Sequence, residues 1–175
     1  MKKAGIILSI LLSVALSCKE EKKDAAPEIG SGTELQSSSG MADASFSSDR
    51  LDRAFEEYQQ LRAALVASDG ESAQKAAALL SETLGEEEDG LTPTAKSIAS
   101  TKELEVQRAL FSELTASLDP LFREALRDGE IYQQYCPMAF EGKGGYWISD
   151  KEEIRNPYYG DKMLTCGKVT EVIKR

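Results

Sequence analysis

Histidine is missing altogether from the 175 residues of this chain. With it go the commonest general base and the commonest metal ligand. Any metal site must therefore be built from sulfur, carboxylate or backbone oxygen. Positive charge is also scarce: 21 Lys and Arg face 30 Asp and Glu, leaving a net charge of −9. That balance repels a polyanion and excludes nucleic acid as a partner. Serines are plentiful but lie mostly near the N-terminus, with no nucleophile-elbow motif. A cysteine nucleophile needs an adjacent base, and the usual one is lacking. No enzyme is expected; the composition leaves a binding or interaction protein.

One apolar run stands out, Ala4 to Leu16, and it is too short to span a bilayer comfortably. With Lys2 and Lys3 ahead of it, residues 1–17 read as a secretory signal. The stretch Val14-Ala15-Leu16-Ser17-Cys18 resembles a bacterial lipoprotein box. It implies that Cys18 is lipidated and becomes the first residue of a protein held in the cell envelope by a membrane anchor. Lys19-Glu20-Glu21-Lys22-Lys23-Asp24 follows, either a solvated tether or a run similar to the signal that sends lipoproteins to the outer face of the outer membrane. Localisation is thus expected at the outer membrane, facing the periplasm or the surface. Residues 18–47 then read as a flexible linker. From Ala25 to Ser47 they hold too few large apolar side chains to offset the entropy of ordering.

Periodicity begins near Ser48. Leu51, Phe55, Tyr58, Leu61 and Leu65 recur at helical spacing, up to Ser68-Asp69-Gly70. Ser68 and Glu71 have capping-box spacing for a second helix, with Ala73, Ala76, Ala77, Leu80 and Leu84 as its stripe and Gly85 as its stop. Glu86-Glu87-Glu88-Asp89-Gly90 lacks the alternating ligands of a calcium loop and reads as solvated. Thr92-Pro93 predicts a helix start, threonine as N-cap. A pattern through Leu104, Phe111, Leu114 and Leu118 follows, with a break near Ser100-Thr101. Asp119-Pro120 predicts a kink or a restart before Gly129. Beyond it, Ile131 to Cys136, Gly144 to Ile148 and Lys168 to Ile173 favour strands. The expected fold is mostly α: an antiparallel bundle of about four helices over residues 48–129, with a small irregular β-rich element over residues 130–175.

That C-terminal element carries the chemistry. Cys136-Pro137-Met138 is answered by Met163-Leu164-Thr165-Cys166, the remaining two cysteines with two of four methionines. If Cys136-Pro137-Met138 is extended, both its sulfurs aim one way. Met163 and Cys166 share one face of a helical turn. Four converging soft donors would suit Cu(I) or Ag(I). Zn²⁺ would want more thiolate or imidazole. A Cys136–Cys166 disulfide is the alternative, closing a loop of about thirty residues for roughly 3–4 kcal/mol. Inert buried thiols are a third. Trp147, the single tryptophan, either anchors this element or lays its ring over a Cu(I) ion. Tyr135, Tyr158 and Tyr159 read as packing residues.

The strings Tyr135-Cys136-Pro137-Met138-Ala139, Gly145-Tyr146-Trp147-Ile148-Ser149, Ile154 to Met163 (with Asn156-Pro157-Tyr158-Tyr159-Gly160 at its centre) and Cys166-Gly167 resemble one family. It is a domain of unknown function seen in bacterial envelope lipoproteins and at the end of periplasmic adaptor subunits of copper and silver efflux pumps. The resemblance spans about Arg50 to Ile173. It implies heavy-metal handling with Cys136, Met138, Met163 and Cys166 as ligands, and a heavy-metal efflux or other envelope protein as partner.

Overall fold

A computed structural model describes residues 44–85 and 91–175. The signal segment, Cys18, the charged run, the linker up to residue 43 and the acidic stretch 86–90 lie outside the described residues.

Helix α1 (Asp49–Val66) starts where Ser48 Oγ accepts from the Leu51 N–H, with Asp49 and Asp52 in its first turn. Both acids complement the positive end of the helix. Its apolar positions, from Leu51 through Phe55, Tyr58 and Leu61 to Leu65, are all buried. Helix α2 (Gly70–Leu84) is capped one residue later than the capping-box spacing predicts. Asp69 accepts from the N–H groups of Glu71 and Ser72. Ser68 instead turns the chain at φ 56° and accepts from Arg108 through its hydroxyl at 3.0 Å. The alanine stripe of α2 is buried as its spacing predicts, and Gly85 follows at φ 67°.

Helix α3 (Leu91–Ser100) contains Thr92 rather than starting from it. The Thr92 hydroxyl donates to the carbonyl of Gly85, so it ties α3 to the end of α2 instead of capping. Helix α4 (Leu104–Ala125) runs on through Pro120. Proline removes one hydrogen bond there, but Leu118 and Phe122 on either side are buried and their packing holds the helix together. Consecutive helices pack on one another, and α4 also meets α1. Stacked Tyr58 and Phe111 (ring centroids 5.1 Å apart) and edge-on Phe55 and Phe122 (5.1 Å) form the centre of that contact.

Two features depart from the expected boundaries. Strand β1 (Ser45–Phe46) pairs antiparallel with β2 (Leu126–Asp128), so neither stretch is linker or helix. Phe46 is buried against Phe55 with centroids 4.8 Å apart, and its N–H donates to Asp52 Oδ1 at 2.7 Å.

The three strand segments of the C-terminal part form one antiparallel sheet in the order β4-β3-β5: β3 (Glu130–Cys136) is central, with β4 (Gly145–Ser149) and β5 (Lys168–Lys174) on either side. Its irregularity is confined to a shift between Gln133 and Gln134 opposite β5. The outer edge of β4 is closed by α1. Ile148 donates its N–H to Tyr58 Oη at 3.1 Å, and its carbonyl accepts from Gln59 Nε2 at 3.3 Å. Tyr58 Oη also bonds Thr115 Oγ1 at 2.7 Å. The fold is mostly α, with four substantial helices and small antiparallel sheets. No helix among the described residues is long and apolar enough to cross a membrane.

Candidate functional site

Cys136 is the last residue of β3 and is fully buried, opposite Gly145 in the register. Past it the strand cannot continue: Pro137 has no N–H for a ladder. Met138 adopts φ −86°, ψ −15°, an α conformation. The chain therefore turns at the cysteine, and Cys136-Pro137-Met138 is not extended. The two-residue alternation that would aim both sulfurs one way does not apply. Met138 is 52% exposed, while its carbonyl accepts from Tyr159 Oη at 2.6 Å.

Cys166 arrives from the other side. A short 3₁₀ turn, Gly160–Lys162, leads into Met163. The Cys166 N–H then donates to the Met163 carbonyl at 3.0 Å. The spacing of three does mark a single turn, with Met163 and Cys166 half-buried. The result places Cys136 Sγ and Cys166 Sγ 3.0 Å apart, both cysteines being free.

The loop that delivers Cys166 is held by polar side chains that sequence patterning misses. Asn156 is fully buried and makes four bonds, one of them through its carbonyl, which accepts from the Gly160 N–H at 3.1 Å. Its Nδ2 donates to the Cys166 carbonyl at 2.8 Å. Its Oδ1 accepts from the Tyr158 N–H at 2.8 Å. Its N–H donates to the Leu164 carbonyl at 2.8 Å. The Asn-Pro pair is a turn signal, and it was the available clue. Gln134 is also fully buried, on the same face of β3 as Cys136. It donates to the carbonyls of Lys151 (2.8 Å) and Glu152 (3.0 Å) and accepts from Trp147 Nε1 at 2.6 Å. Arg108 fastens the same loop to the helices, donating to the Pro157 carbonyl at 3.0 Å and the Leu65 carbonyl at 3.3 Å. The side chains of Arg62 and Asp150, 10% and 14% exposed, pair at 3.1 Å between α1 and the end of β4.

Trp147 is fully buried and edge-on to Tyr158, which is the anchoring arrangement. Its ring end lies beside Gly167. A Cβ on that glycine would stand 2.9 Å from Trp147 Cη2 and 3.0 Å from the Tyr135 carbonyl, and its φ is +151°. Only glycine lets the chain pass between the indole and β3 straight after Cys166.

The electrostatics favour the protonated form of the outer thiol. Cys166 is raised above the ordinary thiol range, first by its hydrogen bond with Cys136 and then by burial. The Met138 backbone pulls in the opposite direction.

No group of three or more Cys, Asp or Glu side chains gathers among the described residues. The paired thiols are soft donors, whose chemistry suits a soft monovalent ion better than Zn²⁺ or Ca²⁺. Taking a metal–thiolate bond of about 2.3 Å, two sulfurs straddling one ion would sit up to about 4.6 Å apart, so this pair, now 3.0 Å apart, would have to part by up to about 1.6 Å. Cys166, half-buried on its turn, is the partner with room to move. Two surface clefts, of ≈ 290 Å³ between α4 and β4 and ≈ 450 Å³ beside Arg62 and Arg155, include neither cysteine nor either methionine.

Residues 54–127 match the family model described as Protein of unknown function (DUF3347). The match runs from within α1 to within β2 and stops short of β3. It covers the helical scaffold, whereas the strings around Cys136 and Cys166 lie beyond it. The comparisons with curated proteins and with solved structures gave no match.

Proposed function

We propose that this protein is a non-catalytic envelope lipoprotein that holds and hands on a soft ion, Cu(I) or Ag(I), through Cys136 and Cys166. One observation carries the reading: two cysteines thirty residues apart in sequence have their sulfurs 3.0 Å apart. The scaffold around them is held by Asn156, Gln134, Trp147 and Arg108. In this reading the two cysteines are the core of the donor set, with Met138 and Met163 as further candidate ligands, and Trp147 packs beside Gly167, next to Cys166 in sequence. Lipidation of Cys18 would tie the protein to the membrane, and an efflux or other envelope protein would receive the ion.

The test is a titration of the reduced protein with Cu(I) against a competing chelator, read by mass spectrometry. A one-to-one complex lost in Cys166→Ser is expected. Failure of the reduced protein to take up Cu(I) or Ag(I) overturns the proposal.

The same adjacency favours a second reading, a Cys136–Cys166 disulfide in an oxidising compartment that turns the protein into a stapled interaction module. Here both thiols would resist maleimide until a reductant is added. Rapid labelling of protein isolated without reductant counts against the staple.

A further inference from the structure

Resting on the second reading, the Cys136–Cys166 disulfide, we infer that the pair is a reversible thiol–disulfide exchange site at which Cys166 alone meets the external thiol. The staple is opened and closed from one side, and its state decides whether two thiols are present at all.

Closing the pair takes a small movement. The sulfurs stand 3.0 Å apart and a disulfide needs about 2.05 Å, so they must approach by about 1 Å. The backbones that bear them are fixed. Cys136 is held in the ladder opposite Gly145. Cys166 is held by the Asn156 amide on its carbonyl and by its own N–H on the Met163 carbonyl. Two reacting groups kept side by side in this way close far faster than free ones meet.

The two sulfurs are unequally reachable. Cys136 has no exposed surface. Its cross-strand partner Gly145 lies against aromatic rings: a Cβ there would stand 2.6 Å from Tyr158 Cε2 and 3.1 Å from Phe140 Cε2. Residues directly opposite in a ladder share a face, so the edge-on pair of Phe140 and Tyr158, with centroids 5.0 Å apart, walls the side on which Cys136 lies. Cys166 is half-buried. Access decides which sulfur of a disulfide is attacked, and here it selects Cys166.

The external thiolate forms a bond to Cys166 Sγ as the Cys166–Cys136 bond breaks. Cys136 leaves as a thiolate and takes a proton from water. A second external thiolate then attacks the external sulfur of the mixed disulfide, freeing Cys166 and releasing an external disulfide. Two electrons pass from the external thiols to the protein. Closure runs the same steps backwards, with that external disulfide as oxidant.

The experiment adds glutathione disulfide to the reduced full-length variants Cys136→Ser and Cys166→Ser and locates the adducts by peptide mass mapping, which counts Cys18 apart. Cys166 in Cys136→Ser is expected to gain glutathione at least about tenfold faster than Cys136 in Cys166→Ser, with the two reacting alike in urea. Equal rates in the folded variants overturn the inference. So does a difference that persists in urea, which would not come from access. In the wild type, acid trapping at early times should find the first glutathione on Cys166; finding it on Cys136 overturns the inference without any substitution. If the wild type forms no Cys136–Cys166 bond under the same treatment, the staple itself falls, an outcome distinct from the others.

Discussion

The side-chain amide of Asn156 donates to the carbonyl of Cys166 at 2.8 Å, while its carbonyl oxygen accepts from the Tyr158 N–H. One buried side chain thus sets the position of the outer thiol from ten residues away in sequence. Asn156→Ala leaves a buried carbonyl and a buried N–H without partners, at a cost of about 2–3 kcal/mol. Urea unfolding should show that loss, and alkylation of Cys166 in the folded protein should speed up. Unchanged stability and unchanged labelling would mean that the loop is held by other bonds.

Gly167 bears on the same residue from the other side. In Gly167→Ala the new methyl meets Trp147 and the Tyr135 carbonyl, on a backbone with φ +151°. A destabilisation of about 1–3 kcal/mol is expected, with Trp147 emission shifted to the red as water gains the indole. Emission like that of the wild type would show that the ring does not lie on this glycine.

Much of this could be read from the chain. The stripe Leu51, Phe55, Tyr58, Leu61 and Leu65 gives α1 directly, since a buried face must repeat every 3.6 residues. The three strand segments show themselves by β-branched and aromatic content. Phe46 could not be found this way, because a single ring in a polar stretch has no period. The capping signal slipped from Asp69 to Ser68 because both residues precede acidic or hydroxyl groups at workable spacing. Arg62, Arg108, Gln134 and Asn156 are polar residues that tertiary contacts bury. No local pattern separates them from solvated ones. The turn at Met138 was hidden by the extended bias that Pro137 imposes on the residue before it, a bias that says nothing of the residue after.

Glu57 tests the helical half. Burial raises its carboxyl above the ordinary range, ahead of the lowering bond from Thr83, and Oε2 has no partner. A raised folded-state value means that the protonated form is favoured by folding. Its stabilising effect is complete at low pH and is lost as pH rises through the folded value. Glu57→Gln should therefore raise the melting temperature at neutral pH, and the gain should shrink in acid below that value. A gain independent of pH would place its origin elsewhere.

The thiol pair carries its own pH signature. Cys166 is raised by its bond with Cys136 and by burial, and both protons must leave before two sulfurs bind an ion. Affinity for Cu(I) should fall as pH falls, by up to about a hundredfold per pH unit where both protons compete. Chelator competition across a pH series measures this. A flat profile would rule out binding as a dithiolate.

The strand register also fixes a distance. Ser45 pairs with Asp128, and the N–H of Arg175 donates to the Gly129 carbonyl at 3.3 Å, so the two ends of the folded region meet beside the start of β3. Cys136 closes the far end of that strand, about 20 Å away at roughly 3.3 Å per residue. The sulfurs therefore stand at the opposite end of β3 from both termini of the described region, one strand length away. A fluorophore or fusion joined at Arg175 would report from that far end without crowding them.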